Sequence, residues 1–162
     1  MDLEAARIPT RLFIKAFQPQ VRVLLRWDQV EEKQYPAYVD VFTDSAPFEN
    51  WFAPWYCNSQ GLETEYMARD ARPLSIADIA TDASPLSTSR RGKIEALSHS
   101  FCAHEIVQIV VGLYALPHGK YLVLDGNHRL VAALRSRRPM TILAFTLVAP
   151  VDSQLLADLR HW

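Results

Sequence analysis

Apolar residues in the first third of the chain fall in short runs that are rich in β-branched and aromatic side chains. These runs occupy residues 12–14, 21–25 and 38–42, and they are separated by breaks at 19–20 and 35–36 that each contain a proline. Runs of this composition, bounded by prolines, favour strands. We therefore predict a small antiparallel sheet or meander in this part of the chain.

A dense aromatic segment follows at residues 48–57, where five rings surround Pro54. Two prolines and Asn50 flank or interrupt the segment, which favours a loop or a short helical turn over a regular strand. Its rings either cover one edge of the core or form a lid or partner-binding patch. In the second case Trp51 and Trp55 are candidates for stacking on a base or sugar.

The rest of the chain alternates between strand-like and helix-like patterns. We predict a short strand running into a turn over 73–79, a loop over 81–89, and then a helix capped by Ser87 or Thr88. Apolar runs predict strands over 106–113, 121–124 and 140–148, with a turn at 117–120, a helix over 130–137 and a short amphipathic helix within 151–162. This order of elements predicts an α+β fold, with a mixed sheet and helices preceded by a small β-rich N-terminal extension.

Composition places the chain among globular proteins. Its 162 residues are 49% apolar and 22% charged, which suits one domain of ordinary size. We divide it into a β-rich extension packed on the core (1–70), the core itself (71–150) and a helical tail (151–162). The two cysteines, Cys57 and Cys102, show no metal-ligand spacing, so we expect both to be reduced and buried.

Charge and targeting features narrow the range of functions. A formal net charge of −1 argues against a protein that coats DNA, although Arg135, Arg137 and Arg138 provide a local basic patch. No run approaches the ~20 apolar residues of a membrane helix, and residues 1–11 lack the apolar centre of a signal peptide. We therefore expect a cytoplasmic protein that does not enter the membrane.

The segment Asp125-Gly126-Asn127-His128-Arg129 joins a predicted strand to a predicted helix. A glycine turn before a helix presents unpaired N–H groups and the positive end of the helix dipole to an anion. Arg129 and His128 add donors suited to phosphate oxygens, and Asn127 donates to an oxyanion or shapes the turn. Asp125 is a candidate base or Mg²⁺ ligand, and His128 a second catalytic candidate. The alternative is that Asp125 caps the helix while His128 and Arg129 make surface contacts.

Two further groups are candidates for the same site. Glu105, in the predicted connection between the first long helix and its following strand, is a possible base or metal ligand, or else part of a solvated loop. Ser89 and Arg90 are positioned to clamp a phosphate through a hydroxyl and a guanidinium, or else they belong to an ordinary helix cap followed by surface arginines.

Residues from about 72 to 149 resemble the ParB/sulfiredoxin-like fold superfamily. The resemblance rests on Ile76-Ala77-Asp78-Ile79, on Ser89-Arg90 before a helix, on the strand around Ile109-Val110-Val111, and above all on the Asp-Gly-x-His-Arg turn followed by Leu-x-Ala-Ala. It implies that Gly126, Asn127, His128 and Arg129 contact the phosphates of ATP, ADP or another nucleotide, with Arg90 contributing.

Departures from this family pattern narrow the expected chemistry. Asn127 stands where sulfiredoxins have a nucleophilic cysteine, which argues against cysteine repair. Free-serine kinases share the Asp-Gly-x-His-Arg form and use a glutamate from the loop before the first helix, where this chain offers only Asp82. The catalytic base is therefore unassigned.

Three functional hypotheses follow. The leading one is a nucleotide-dependent phosphotransferase of kinase type, or a nucleotide hydrolase, that acts with Mg²⁺ on a small-molecule acceptor. The second is a ParB-like nuclease or DNA-binding regulator, which uses the turn and the three arginines on backbone phosphates. The third is a non-catalytic protein that binds a partner through the aromatic segment.

Overall fold

The computed structural model describes residues 5–21, 24–44 and 46–162. These residues form a mixed sheet of eight strands and five α-helices, which confirms the predicted α+β class. None of the helices in the described ranges has both the length and the apolar character needed to span a bilayer.

The strands are β1 (Ala6–Ile8), β2 (Ala37–Phe42), β3 (Trp51–Cys57), β4 (Glu63–Thr64), β5 (Arg72–Ser75), β6 (Val107–Ala115), β7 (Tyr121–Asp125) and β8 (Met140–Leu147). The main path across the sheet is β1-β2-β8-β6-β7-β3-β4, and β5 also pairs with β3. The β6–β8 and β3–β7 pairs are parallel, and the other pairs are antiparallel.

The helices cover both faces of the sheet. They are α1 (Thr10–Phe17), α2 (Trp27–Lys33), α3 (Ile76–Thr81), α4 (Thr88–Cys102) and α5 (Asn127–Ser136). On one face, Ile94 of α4 and Leu130 of α5 are fully buried in a core with four residues of β6: Val107, Ile109, Val111 and Leu113. On the other face, Phe13 of α1 and Leu159 of the C-terminal segment share a second core with Leu122.

Several predicted elements are confirmed. Strands occupy the ranges expected around 38–42, 106–113, 121–124 and 140–148, and the Ser87 side chain caps α4 by accepting from the Arg90 N–H. The helix predicted over 130–137 begins three residues earlier, at Asn127. The strand predicted at 73 also forms, but Ser75 caps a new helix there, so residues 76–79 belong to α3.

Other predictions are wrong. Residues 12–14 lie in α1, because Phe13 and Phe17, four positions apart, bury one helical face. Residues 51–57 of the aromatic segment form β3, a strand with both faces covered, so the loop predicted there is wrong. Residues 48–50 lie in the 3₁₀ helix Ala46–Asn50, which agrees with the predicted short helical turn. The tail has only a 3₁₀ turn at Ala157–His161. Cys57 is buried, as expected, but Cys102 is exposed.

Two predictions concern regions that the structure does not decide. The strand predicted at 21–25 includes Arg22 and Val23, which lie outside the described residues. Leu25, the last residue of the predicted strand, forms an isolated antiparallel bridge with Leu156. The division near residue 70 stays a prediction, and β2 and β3, which precede it, pair with β8 and β7 in one sheet.

Candidate functional site

A cleft opens where β3 and β7 separate. The two strands pair only at Trp51 and Phe52 of β3, whereas β4 pairs with the same strand at Tyr56 and Cys57. β5 pairs with one edge of β3, from Phe52 to Cys57. β7 and β4 therefore both pair with the opposite edge of β3, and a gap separates them there. The cleft above this gap has a volume of about 900 Å³ and is lined by the end of β7 and the start of α5.

Gly126 shapes the turn at the floor of the cleft. Its φ of +100° lies in the region that side chains rarely adopt. A Cβ at this position would lie 2.8 Å from Val111 Cγ1 and 3.3 Å from the Val110 carbonyl oxygen. Glycine is therefore required both by the backbone conformation and by the close approach of β6, which confirms the predicted role of Gly126 in shaping the turn.

The start of α5 presents backbone donors to the cleft. The first intrahelical bond runs from the Leu130 N–H to the Gly126 carbonyl, so the N–H groups of Asn127, His128 and Arg129 precede the helical ladder. No side-chain cap satisfies this end of the helix. These unpaired donors and the positive end of the helix dipole lie where the sequence predicted an anion site, and they are chemically suited to an anion.

Asn127 holds the turn against the sheet from inside. Its side chain is 8% exposed, and Nδ2 donates to the Val123 carbonyl at 3.1 Å. Oδ1 is buried and has no hydrogen-bond partner among the described residues. This oxygen is sealed from solvent, so among the described residues the amide anchors the turn through Nδ2 alone.

Asp125 and Arg129 bind one another across one turn of the helix. Arg129 Nη2 lies 2.9 Å from Asp125 Oδ2, and both side chains are partly exposed. Asp125 lines the cleft, but Arg129 does not. The arginine predicted as a phosphate clamp therefore orients and neutralises the aspartate at the strand end.

His128 and Arg90 pack on the same indole ring. The His128 imidazole meets the Trp55 ring edge to face at 4.7 Å, and the Arg90 guanidinium lies 5.0 Å from the Trp55 ring centre. Burial, with added repulsion from Lys93 and Arg90, lowers the pKa of His128 to about 4. His128 is therefore neutral at physiological pH and binds as a donor or acceptor without net charge.

Glu63 of β4 reaches the start of α4, which the sequence did not reveal. Its carboxylate pairs with Arg90 Nε at 2.5 Å and accepts from the Ser87 N–H. These partners lower the pKa of Glu63 against the opposing effect of its burial. The sequence prediction considered only acids in the loop before α4, whereas Glu63 lies 27 residues before Arg90 in the chain.

A buried carboxylate from the C-terminal segment forms another wall. Asp158 is 8% exposed and accepts a short hydrogen bond from the Tyr56 hydroxyl of β3. Burial, followed by the hydrogen bond to Asp158, strongly raises the pKa of Tyr56, so the phenol stays protonated. Nothing in the local sequence pattern marked this pair, because its members are 102 residues apart.

Some predicted site residues lie elsewhere. Ser89 is exposed on the first turn of α4 and does not line the cleft. Glu105 follows the C-terminal end of α4, about 20 Å from the end that carries Arg90. The structure therefore does not bring Glu105 to Asp125.

The basic patch also lies away from the turn. Arg135 and Arg137 line a separate groove at the C-terminal end of α5, about 15 Å from its start, and Arg138 donates to the Cys102 carbonyl. The turn and these arginines therefore do not form the continuous surface that the DNA-binding hypothesis requires. Trp51, which the partner-binding hypothesis requires at the surface, is 1% exposed.

The fold and the cleft define an α+β protein with an uncapped helix start at a gap in its sheet. Comparisons of the chain with family models, curated proteins and solved structures give no match.

Proposed function

We propose that the cleft binds a nucleoside di- or triphosphate and that the protein transfers a phosphoryl group to a small-molecule acceptor or to water. The observation that carries the proposal is the uncapped start of α5, which faces the cleft beside a glycine with a φ of +100°. Phosphoryl transfer relies mainly on positioning and charge neutralisation, for which this arrangement is suited. The resemblance of the turn to that of the ParB/sulfiredoxin-like proteins points in the same direction.

The charges around the cleft support a phosphate at the helix start. Arg90 and Lys93 of α4 line the cleft on the side of His128. Of the four acids that line it, Glu63 is paired with Arg90 and Asp125 with Arg129, whereas Glu65 and Asp158 form no ion pair with a described residue. Lys93 has an exposed side chain and no ion pair in the described ranges, which leaves its ammonium group available for a phosphate.

The residues present fit a magnesium ion that is bound chiefly by the nucleotide. No group of three or more His, Cys, Asp or Glu side chains in the described part of the chain forms a metal cage. Mg²⁺ in nucleotide sites commonly takes one or two carboxylates together with phosphates and water. Asp125, at the strand end beside the turn, is the protein ligand we assign, and the ion would supply further charge neutralisation.

Replacing Lys93 with alanine tests the binding step. We expect the Kd for ATP with Mg²⁺, measured by titration calorimetry, to rise about tenfold or more, since a charge-assisted hydrogen bond contributes about 1.5–3 kcal/mol. Arg91→Ala is the matched control, because Arg91 is also a cation on α4 but does not line the cleft. Equal affinities in the two variants, or no saturable binding by the unmodified protein, would contradict the proposal.

A further inference from the structure

The hydrogen bond between Asp158 and Tyr56 is buried and is supported by further contacts. Tyr56 is 2% exposed, and its ring packs against His161 with centroids 4.8 Å apart. His161 is held in turn by a 2.8 Å hydrogen bond between Nε2 and the Tyr66 carbonyl oxygen. These contacts hold the Tyr56 ring in place, and its hydroxyl in turn orients the Asp158 carboxylate.

The second oxygen of Asp158 has no partner among the described residues. Oδ2 accepts no hydrogen bond from the described residues, and among their ion pairs none includes Asp158. Oδ2 is not among the unpartnered polar atoms that solvent cannot reach, so part of its surface is accessible. Since Asp158 lines the cleft, Oδ2 has access to it.

The other acids of the cleft are less suited to proton transfer. Glu63 is bound by Arg90 and by the Ser87 N–H, and Asp125 is bound by Arg129. Glu65 is exposed, and no hydrogen bond to a described residue orients its side chain. Asp158 alone among these four described acids combines burial, a neutral orienting partner and an oxygen that reaches the cleft.

We propose that Asp158 is the general base of the cleft and that Tyr56 is its positioning residue. This inference rests on the proposed function, since it names the group that activates the acceptor. A neutral hydrogen-bond donor orients a carboxylate without tying it to a fixed positive charge, which leaves it able to take up a proton.

The proposed step is a balanced phosphoryl transfer. Asp158 Oδ2 takes the proton of an acceptor hydroxyl, or of water, as the acceptor oxygen forms a bond to the terminal phosphorus of ATP. The bond between that phosphorus and the bridging oxygen breaks, and its electron pair leaves with ADP.

The test uses ATP with Mg²⁺, with water as the acceptor, and measures phosphate release by the full chain. We expect Asp158→Asn to lower kcat by about 10²–10⁴-fold, the usual contribution of general base catalysis, because asparagine still accepts from Tyr56 but takes up no proton. The KM for ATP and the Kd from calorimetry should stay within about twofold. Asp152→Asn, the same change at an exposed site in the same segment, should leave both parameters unaltered.

Tyr56→Phe keeps the acid but removes the hydrogen bond that orients it. We expect a fall in kcat of about tenfold with an unchanged KM for ATP. The number of ATP sites per chain, measured by calorimetry, should equal that of the unmodified protein, which excludes a loss of folded protein as the cause. Equal phosphate release by Asp158→Asn and the unmodified protein, including no release by either, would overturn the inference. Calorimetry distinguishes failure of this inference from failure of the proposed function. If the protein binds ATP but Asp158→Asn and the unmodified protein release phosphate at equal rates, only the role of Asp158 is rejected. If the unmodified protein does not bind ATP, the proposed function is rejected.

Discussion

Replacing Gly126 with alanine is expected to destabilise the protein by about 2–6 kcal/mol. The first cause is the backbone, because φ is +100° at this residue and a Cβ in such a conformation costs about 1–3 kcal/mol. The second cause is steric, because that Cβ would lie 2.8 Å from Val111 Cγ1 in the buried strand β6, and overpacking a core costs about 1–3 kcal/mol. Urea unfolding measures the change in the free energy of unfolding.

Gly61→Ala separates the two causes. Gly61 also has a positive φ, of +75°, but no atom lies within 4 Å of the Cβ position. This control should lose only the backbone contribution, about 1–2 kcal/mol. If both variants lose the same stability, the close approach of β6 to the turn is not what requires glycine at position 126.

Acid is expected to destabilise the protein through His128. The pKa of His128 is about 4 in the folded state, against an ordinary value of 6.5, so the unfolded chain binds the proton more tightly. The stability present above pH 6.5 is therefore lost as the pH falls towards 4. After allowance for solvent at this half-buried ring, the loss is on the order of 2 kcal/mol.

His128→Gln isolates this contribution. Urea unfolding at pH 7 and pH 4.5 should show a smaller loss of stability for His128→Gln than for the unmodified protein. His99→Gln, at an exposed position on α4, should keep the pH dependence of the unmodified protein. A His128→Gln variant that lost as much stability in acid as the unmodified protein would show that the buried imidazole is not the cause.

The sequence predicted the turn because all of its determinants are local. A strand, a glycine and a helix start lie within a few residues, and their geometry follows from backbone sterics. The role of Arg129 was not predictable in the same way. Asp125 lies four residues before it, at a distance that allows an ion pair as readily as a phosphate contact, and the structure shows the ion pair.

The remaining walls of the cleft depend on long-range topology. Glu63 reaches Arg90 because β4 pairs with the end of β3, and Asp158 reaches Tyr56 because the C-terminal segment packs across the second core. No periodicity in the chain encodes such pairings. The separation of β7 from β3, which creates the cleft itself, also appears only when the strand order is known.

Local sequence patterns gave wrong secondary structure where burial in the tertiary fold determined it. Pro54 suggested a loop, yet it lies in β3 between the residues that pair with β7 and those that pair with β4. A proline is tolerated at such a gap because its missing N–H interrupts no bond to a neighbouring strand on that edge. In α1, two phenylalanines four positions apart outweighed the strand-like composition of residues 12–14.

An amide-resolved NMR titration with ATP and Mg²⁺ tests the central claim most directly. The claim is that the start of α5 receives the phosphates, so the backbone N–H resonances of Asn127, His128 and Arg129 should shift and saturate with a single Kd. Resonances of residues 135–138, at the opposite end of the helix, should stay in place. Shifts confined to residues 135–138, or no saturable shift at residues 127–129, would contradict it.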